Sequence, residues 1–369
     1  MNKAAETPKY ILLKEFIKGS IENGELKPGQ KIFSENELAA RFSISRHTVR
    51  QAVGEMVNEG LLYRTQGSGT FVSSVKGNRK EKSRIIGVIT TYLDDYIFPG
   101  IIKSIDNVLS SQGYSLILSH TDNKVEREAQ CISNMLQRNV DGFIIEPTKS
   151  ALPNPNQKLY TDMIKKGIPF VQINGYYPGQ EYSYVVEDDE AGGNMAASHL
   201  FQLGHRKIGG IFKVDDIQGH NRYRGVVRAY RDRGLLIAED AVVWYTTEDM
   251  ENLFEENRGD ILLKRLGDCT AVVCYNDQAA IRLLDLFRRA GKRVPEDISV
   301  VSFDDSELAN VSDIKLTSVA HPGRKLGEKA ANGLLDLLRY KAHRIRESIV
   351  PELVVRDSAS RVSGIAENT

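Results

Sequence analysis

The chain has 369 residues, of which 27% are charged and 41% hydrophobic, and its formal net charge at pH 7 is zero. This length exceeds one typical domain and predicts two or three domains. No apolar run approaches the roughly 18 residues of a membrane span, and the N-terminus lacks the apolar core of a secretory signal. We therefore expect a cytoplasmic protein with no membrane partner.

The charge is unevenly distributed along the chain. Residues 1–80 contain 13 Lys and Arg and 8 Glu but no Asp, a net charge of +5, so the remaining residues carry −5. A basic first segment joined to an acidic remainder is typical of a DNA-binding module linked to a domain of another kind. The three cysteines and seven histidines lack metal-ligand spacing, so we expect buried reduced thiols, no metal site and no cofactor.

The first segment has the pattern of a winged helix-turn-helix. An amphipathic helix is predicted after Lys9 and Tyr10. A second helix starts at Ser34, where Glu37 three residues later completes a capping box. Ser45 then caps a third helix. The buried stripe predicted for this third helix consists of Val49, Ala52, Val53 and Met56.

The outer face of the third predicted helix is polar and basic. Its N-terminal turns are the part of a recognition helix that reaches base edges in the major groove. Residues 61–64 and 70–72 follow as two short strands, a small wing with a glycine-rich tip that allows close approach to a phosphate or a minor groove. The residues predicted to contact DNA are Lys9, Tyr10, Glu35, Asn36, Arg46, His47, Thr48, Arg50, Gln66, Gly67 and Gly69.

This first segment resembles the GntR family of bacterial repressors over residues 8–73. The resemblance is carried by the run SENELAARFSISRHTVRQAV, which starts at Ser34, and by the wing sequence QGSGTF. It implies that the segment binds double-stranded operator DNA.

A second domain is predicted after a polar, basic stretch. Residues 1–73 are expected to form the DNA-binding domain, 74–84 a linker, and 85–369 the second domain. From residue 84, short apolar runs alternate with amphipathic helices, which predicts right-handed βαβ units and parallel sheets. The predicted strands cover residues 85–90, 114–119, 141–146, 170–174, 183–188, 207–212, 241–245, 271–275 and 298–303. So many strands predict an α/β body with two lobes and a cleft between them.

The cleft is the predicted ligand site, because open parallel sheets bind ligands beyond the carboxyl ends of their strands. Those ends carry hydroxyl, carboxylate, amide and aromatic groups, which suit a polyhydroxylated ligand such as a sugar. Arg222 supplies a fork of donors. The residues predicted to contact this effector are Thr91, Tyr96, Phe98, Glu146, Asn174, Arg222, Trp244 and Asp277.

Several of these side chains also have a purely structural interpretation. Asn276 and Asp277 open a predicted helix, where capping residues are common, and Trp244 has the character of a core residue. The acidic run at residues 187–190 is interpreted as a solvated helix start rather than as part of a site.

Residues 85–358 resemble the effector domain of the LacI/GalR repressors, whose two-lobed fold is similar to that of periplasmic sugar-binding proteins. The resemblance is carried by the runs NRYRGVVRAY, YND, ISVVSFDDSELA, LTSV and ELVVRDS. It implies that the arginine at Arg222 and the aspartate at Asp277 contact a sugar or purine effector.

A GntR-type first domain joined to a LacI-type body is an uncommon pairing. Together with the runs RHTVRQAV and EPTKSALPNPN, it resembles the arabinose repressors of Gram-positive bacteria over nearly the whole chain. The resemblance implies a homodimeric repressor of arabinose-utilisation genes that L-arabinose releases from its operator.

Three alternatives have different functions. The first is a repressor of the same architecture that responds to a different sugar. The second is a sugar-processing enzyme, but no pair of catalytic carboxylates can be argued from the sequence spacing. The sequence also has no nucleophile elbow, no HExxH run and no Walker A motif. The third is a secreted sugar carrier, which the DNA-binding segment disfavours.

Overall fold

The computed structural model describes residues 8–58, 60–65, 67–73, 83–93, 96–311, 313–340 and 344–362. The chain divides into two compact units between residues 82 and 83. We call the first unit the head and the second the body. Gln66 at the predicted wing tip and residues 74–82 of the predicted linker lie outside the described residues.

The head is a winged helix-turn-helix, as predicted. Its described elements are α1 (Lys9–Glu22), α2 (Glu35–Phe42), α3 (Arg46–Asn58), β1 (Leu62–Thr65) and β2 (Gly69–Val72). The two strands pair antiparallel as the wing. Leu13 of α1, Leu38 of α2 and Val49 and Met56 of α3 are buried together, so one apolar core holds the three helices.

The two helices of the helix-turn-helix begin at the predicted caps. Ser34 Oγ accepts a hydrogen bond from Glu37 N at 3.3 Å, and Ser34 N donates to the Glu37 carboxylate at 2.7 Å, which completes the capping box. Ser45 Oγ accepts from Thr48 N at 3.1 Å at the start of α3. These bonds pair donors that a helix start otherwise leaves open. Between the helices Ser43 is left-handed, with φ +50°, and this allows a tight turn.

The body contains two sheets of six strands each. The strands are β3 (Ile85–Thr90), β4 (Ser115–His120), β5 (Gly142–Ile145), β6 (Phe170–Ile173), β7 (Ser183–Glu187), β8 (Ile208–Lys213), β9 (Val242–Tyr245), β10 (Ala271–Cys274), β11 (Ser299–Asp304), β12 (Thr317–Ala320), β13 (Arg346–Ile349) and β14 (Glu352–Val354). The first sheet has the order β13-β7-β6-β5-β3-β4 and the second β14-β12-β11-β10-β8-β9. All neighbours are parallel except β12 and β14.

Helices cover both faces of the two sheets. They are α4 (Phe98–Ser111), α5 (Val125–Gln137), α6 (Gln157–Lys165), α7 (Asp189–Gln202), α8 (Ile217–Arg231), α9 (Glu256–Arg265), α10 (Asp277–Arg289), α11 (Leu308–Val311) and α12 (Gly323–Tyr340). Each sheet has an apolar cluster on either face. The two predicted lobes are therefore confirmed. We call the lobe built on the first sheet, which contains β3 to β7 and β13, the N-lobe, and the lobe built on the second sheet, which contains β8 to β12 and β14, the C-lobe. None of the helices in the described part of the chain is long and apolar enough to cross a membrane.

Each predicted strand is present within one or two residues, and three further strands were not predicted. Strand β13 is a short edge strand rich in charged residues, and β14 has only three residues, so neither gives a clear apolar period. The chain passes between the lobes at residues 187–189, 320–323 and 349–352. Ser83 and Arg84, predicted to end the linker, are held in the body by hydrogen bonds from their backbone N–H groups to the Asp141 carboxylate at 2.9 and 3.1 Å.

Helices α7 and α8 pack unusually closely because glycines meet backbone at their crossing. A Cβ atom on Gly193 would lie 1.9 Å from the Arg222 carbonyl oxygen, and one on Gly225 would lie 2.1 Å from the Glu190 carbonyl oxygen. Real Cβ atoms do not approach so closely. Because Arg222 lies on α8, the glycines also fix how deep its side chain enters the body.

We expect Gly193→Ala to destabilise the body by about 1–3 kcal/mol or more, because overpacking forces the helices apart. Gly100 is the matched control, since it is an exposed glycine of α4 with no atom within 4 Å of an added Cβ. Gly100→Ala should be neutral or stabilise the body by up to about 1 kcal/mol. Urea denaturation of both variants measures this, and equal stabilities would contradict the close packing.

Candidate DNA-binding face and effector cavity

The outer side of α3 carries the side chains predicted to contact bases. Arg46, His47 and Arg50 are exposed there. Thr48 is half-buried, and its Oγ1 atom shares a hydrogen bond with Ser45 Oγ at 2.9 Å. The first turns of α3 therefore expose two arginines and a histidine on one side of the helix.

Glu35 on α2 connects this helix to the wing. Its carboxylate accepts hydrogen bonds from Arg50 Nε and from Arg50 Nη2, the latter at 3.0 Å, and lies 3.9 Å from Arg64 Nη2 on β1. Arg64 also donates to the Arg50 carbonyl oxygen at 3.4 Å. Exposed ion pairs contribute only about 0–1 kcal/mol to stability. Here the ion pairs with Glu35 orient two guanidinium groups, that of Arg50 on α3 and that of Arg64 on β1. Arg64 was not predicted, since one arginine in a four-residue strand gives no periodic signal.

The remaining predicted DNA contacts lie elsewhere on the head. Lys9 and Tyr10 are exposed in the first turn of α1. They were predicted to precede this helix, but they are its first two residues. Asn36 is exposed on α2. Gly67 and Gly69 at the wing tip have φ +77° and +122°, conformations in which other residues are strained, so glycine is required there.

A cavity of about 680 Å³ lies between the N-lobe and the C-lobe, at the carboxyl ends of both sheets. Five of the eight predicted effector residues line it, namely Thr91, Tyr96, Phe98, Glu146 and Arg222. The C-lobe contributes further polar lining residues that were not predicted as contacts. They include Lys213, Asp216, Gln218, Asn276 and Asp304.

Arg222 is buried in the cavity wall and surrounded by three carboxylates. Its Nε donates to Asp189 at 2.8 Å and its Nη2 to Glu187 at 3.2 Å, while Nη2 lies 3.6 Å from Asp304. Nη1 donates to the Tyr275 carbonyl oxygen. An arginine has five N–H donors, so within the described residues this geometry leaves one Nη1 donor for a ligand.

Two acidic residues of the run 187–190 were wrongly interpreted as solvated. Glu187 and Asp189 are 2% and 3% exposed and both bind Arg222. Burial raises the pKa of Glu187, and it raises the pKa of Asp189 to about 7 against the opposing attraction of Arg222. The prediction failed because the β7–α7 connection enters the body, whereas a helix start of this composition is usually at the surface.

Glu146 and Thr91 line the N-lobe side of the cavity, and Asn174 contacts Glu146. Its carboxylate accepts hydrogen bonds from Thr91 N and Thr91 Oγ1, both at 2.6 Å, and from Asn174 Nδ2 at 3.0 Å. Asn174 does not itself line the cavity, so it supports Glu146 from behind. Burial raises the pKa of Glu146 to about 7, although these hydrogen bonds oppose the shift.

Asp277 does not line the cavity, contrary to the placement expected from sequence. Its Oδ1 atom accepts from Ser302 Oγ and from Ser318 Oγ at 2.8 Å, and its Oδ2 atom accepts from Ser306 N at 2.7 Å and Ser306 Oγ at 2.8 Å. These four hydrogen bonds use both oxygens inside the C-lobe. Asp277 therefore fixes β11 and β12 to the start of α10, and the adjacent Asn276 lines the cavity instead.

Trp244 also lies away from the cavity lining. Its ring packs against Tyr223 and His220, with centroid distances of 5.2 and 5.0 Å. The alternation of side chains along β9 explains the difference, because the next residue, Tyr245, faces the cavity. The environment of Trp244 therefore supports a packing role rather than contact with a ligand.

The missed residues Lys213 and Asp304 are the last residues of β8 and β11. The rule that strand ends line the site would have found both. Lys213 Nζ lies 2.7 Å from Asp216, and Tyr96 donates from the N-lobe to Asp304 at 2.7 Å. The lining thus combines carboxylates, amides, a lysine and two arginines, a set of donors and acceptors that suits adjacent hydroxyl groups of a small polar ligand.

We expect Glu146 to make the stability of the body depend on pH. Folding raises the pKa of this carboxyl group from 4.5 to about 7. Its protonation therefore stabilises the fold fully below about pH 4.5, and this stabilisation is lost as the pH rises through about 7. The free energy of unfolding of the wild type, minus that of Glu146→Gln, should fall between about pH 5 and 8 by up to about 3 kcal/mol. Denaturant titrations across this range measure it, and a constant difference would contradict the shift.

Comparison with known proteins agrees with the two-unit organisation. A family model described as bacterial regulatory proteins of the gntR family matches residues 12–72, and one described as a periplasmic binding protein-like domain matches residues 197–359. The solved structure of a transcriptional regulator CelR–cellobiose complex superposes with a TM-score of 0.67 at 24% identity, covering 85% of this chain and 90% of that one. At this identity the likeness shows the fold.

Relatives of the same full length share more of the sequence. The arabinose metabolism transcriptional repressor of Geobacillus stearothermophilus is 42% identical over 98% of this chain and 100% of its own length. The repressor of the same name from Halalkalibacterium halodurans is 41% identical, covering 95% of this chain and 96% of its own. With its winged helix-turn-helix head and two-lobed body, the chain belongs to the family of arabinose metabolism transcriptional repressors, a family of DNA-binding regulators and not of enzymes.

Proposed function

We propose that this protein represses arabinose-utilisation genes and that L-arabinose, bound in the body cavity, releases it from operator DNA. The observation that carries the proposal is the pairing of an exposed basic α3 in the head with a polar cavity of about 680 Å³ in the body. The names of the two relatives support arabinose as the sugar. A different sugar acting on the same architecture is the alternative.

The proposal assigns a role to each part of the chain. Residues 1–73 bind DNA, residues 74–84 link the domains, and residues 85–369 bind the sugar and form a homodimer in the cytoplasm. A dimer is supported by the size of the head, because one recognition helix covers a half-site and gives too little discrimination for a genome. The same reasoning favours a near-palindromic operator.

The sugar acts through the arrangement of the lobes. It can release DNA only if it binds one arrangement better than another, because a ligand with equal affinity for both shifts nothing. The cavity is lined from both lobes, so a bound sugar would contact both. A changed lobe arrangement in each protomer would alter the spacing of the paired heads. Coupling of this kind is typically about 1–3 kcal/mol.

For the head, we expect Arg46→Ala to reduce discrimination between operator and unrelated DNA by about 1–3 kcal/mol, as for the loss of a bidentate arginine–guanine contact. Arg64→Ala should instead weaken binding to both DNAs alike and flatten the salt dependence, because we assign Arg64 to a phosphate. Fluorescence anisotropy at several salt concentrations measures both, with Lys27→Ala as an exposed control on the head. Unchanged operator affinity in Arg46→Ala would remove this residue from the interface.

For the cavity, we expect Gln218→Ala to bind operator normally but to need about 2- to 10-fold more L-arabinose for release, through loss of one hydrogen bond. Gln202→Ala is the matched control, since Gln202 is an exposed residue at the end of α7. Operator release is titrated with L-arabinose, D-xylose, D-ribose and D-galactose. Release by another sugar at lower concentration would favour the alternative, and an unchanged midpoint for Gln218→Ala would exclude Gln218 from the site.

A further inference from the structure

Two polar loops of the N-lobe are bonded to two loops of the C-lobe at one edge of the cavity. Lys149, after β5, places its Nζ atom 2.6 Å from Glu248 Oε1, after β9. Asn123, after β4, donates from Nδ2 to Thr247 Oγ1 at 2.6 Å. Both contacts join residues that are about a hundred or more positions apart in the sequence, so they depend entirely on how the lobes are placed.

Hydrogen bonds from backbone N–H groups also join the N-lobe to the C-lobe. Ala151 N donates to the carbonyl oxygen of Asp215 at 3.1 Å, and Ile217 N donates to Ser150 Oγ at 3.0 Å. The Asp215 carboxylate, 1% exposed, accepts from Thr247 N at 3.0 Å and from Thr247 Oγ1 at 2.7 Å. The C-lobe loops are therefore tied together beneath the contact, and they form one surface for the N-lobe.

The N-lobe loops are tied to each other in a conformation that needs support. Asn123 and Lys149 are left-handed, with φ +51° and +46°, which is uncommon for residues other than glycine. Asn123 is fully buried, and its Oδ1 atom accepts from Lys149 N at 2.8 Å. Such conformations persist where the surrounding contacts over-determine them, and they concentrate at functional sites. Here they present the Lys149 and Asn123 side chains to the C-lobe.

We propose that Asn123, Lys149, Ser150, Asp215, Thr247 and Glu248 form an interlobe clasp that holds the effector cavity assembled before the sugar binds. Thr247 and Glu248 also line the cavity, so the clasp directly positions two of its lining residues. Lys149 and Asn123 are positioning residues, because the cavity lining does not include them. The inference rests on the proposed function, since it assigns a role in sugar binding.

The clasp affects affinity through the population of the assembled state. The apparent affinity for a ligand is reduced by the fraction of protein that is competent to bind it. With the clasp formed, most molecules have both walls of the cavity in place, and the sugar does not need to bring the lobes together. Without the Lys149–Glu248 contact, part of the sugar's binding free energy is used to assemble the cavity.

Amide exchange of Ala151 and Ile217 in the sugar-free full chain tests the clasp directly, because both N–H groups have their acceptors on the opposite lobe. We expect both amides to be protected in the wild type and to exchange about two- to fivefold faster in Lys149→Met, as expected for the loss of an ion pair whose Glu248 side chain is largely exposed. Lys149→Arg should restore protection. Lys158→Met is the matched control, since Lys158 pairs with Asp162 within α6 of the same lobe. Unprotected amides in the wild type, or unchanged exchange in Lys149→Met, would overturn the proposal.

A titration with L-arabinose separates the clasp from the identity of the sugar. Lys149→Met should show about two- to fivefold weaker apparent affinity than wild type, and saturating sugar should return its Ala151 and Ile217 amides to wild-type protection. Equal affinity of the two proteins would overturn the assigned role in binding. If L-arabinose fails to bind the wild type, the proposed effector is wrong, while the sugar-free exchange still decides whether the clasp exists.

Discussion

The body depends on the burial of one guanidinium group among three carboxylates. Arg222 joins the end of an N-lobe strand at Glu187 to a C-lobe helix at Asp189 and to a C-lobe strand at Asp304. Removing one partner of a buried ion pair typically costs about 3–5 kcal/mol, because it leaves an uncompensated charge. Here loss of the arginine would leave three carboxyl groups facing one another. A ligand that meets Arg222 therefore meets a group already committed to the joint between the lobes.

The cavity is bounded by contacts that cross from lobe to lobe. Tyr96 of the N-lobe reaches Asp304 at 2.7 Å, and Lys149 reaches Glu248 at 2.6 Å. Both C-lobe partners line the cavity. Under the proposed function, a sugar hydroxyl in this space would compete with or extend these hydrogen bonds. The proposed response to sugar would then be a redistribution among polar contacts between the lobes, which would allow a small ligand to select one arrangement over another.

The head uses charge in a comparable way. Glu35 places an acidic group on the face that we propose to bind DNA, and the arginines on either side offset its negative charge. The carboxylate holds Arg50 of the recognition helix and approaches Arg64 of the wing. One residue of α2 thereby orients an arginine on the recognition helix and an arginine on the wing. In both units one charged residue fixes the positions of its ionic partners. In the head this residue is Glu35, and in the body it is Arg222.

The sequence by itself determined most of the helices and strands and the fold class of each unit. The Ser34–Glu37 capping box and the apolar runs of the body are local patterns, so the winged helix-turn-helix and the two parallel-sheet lobes could be predicted from them. Which side chain faces the cavity was decided only by the tertiary structure. Asn276 and Asp277 are adjacent at the end of β10, yet Asn276 lines the cavity and Asp277 turns into the sheet. Both residues lie beyond the strand, Asn276 as the N-cap of α10 and Asp277 as its first residue. Hydrogen bonds from Ser302, Ser306 and Ser318, which are distant in the sequence, set the orientation of Asp277, so composition alone cannot distinguish such neighbours.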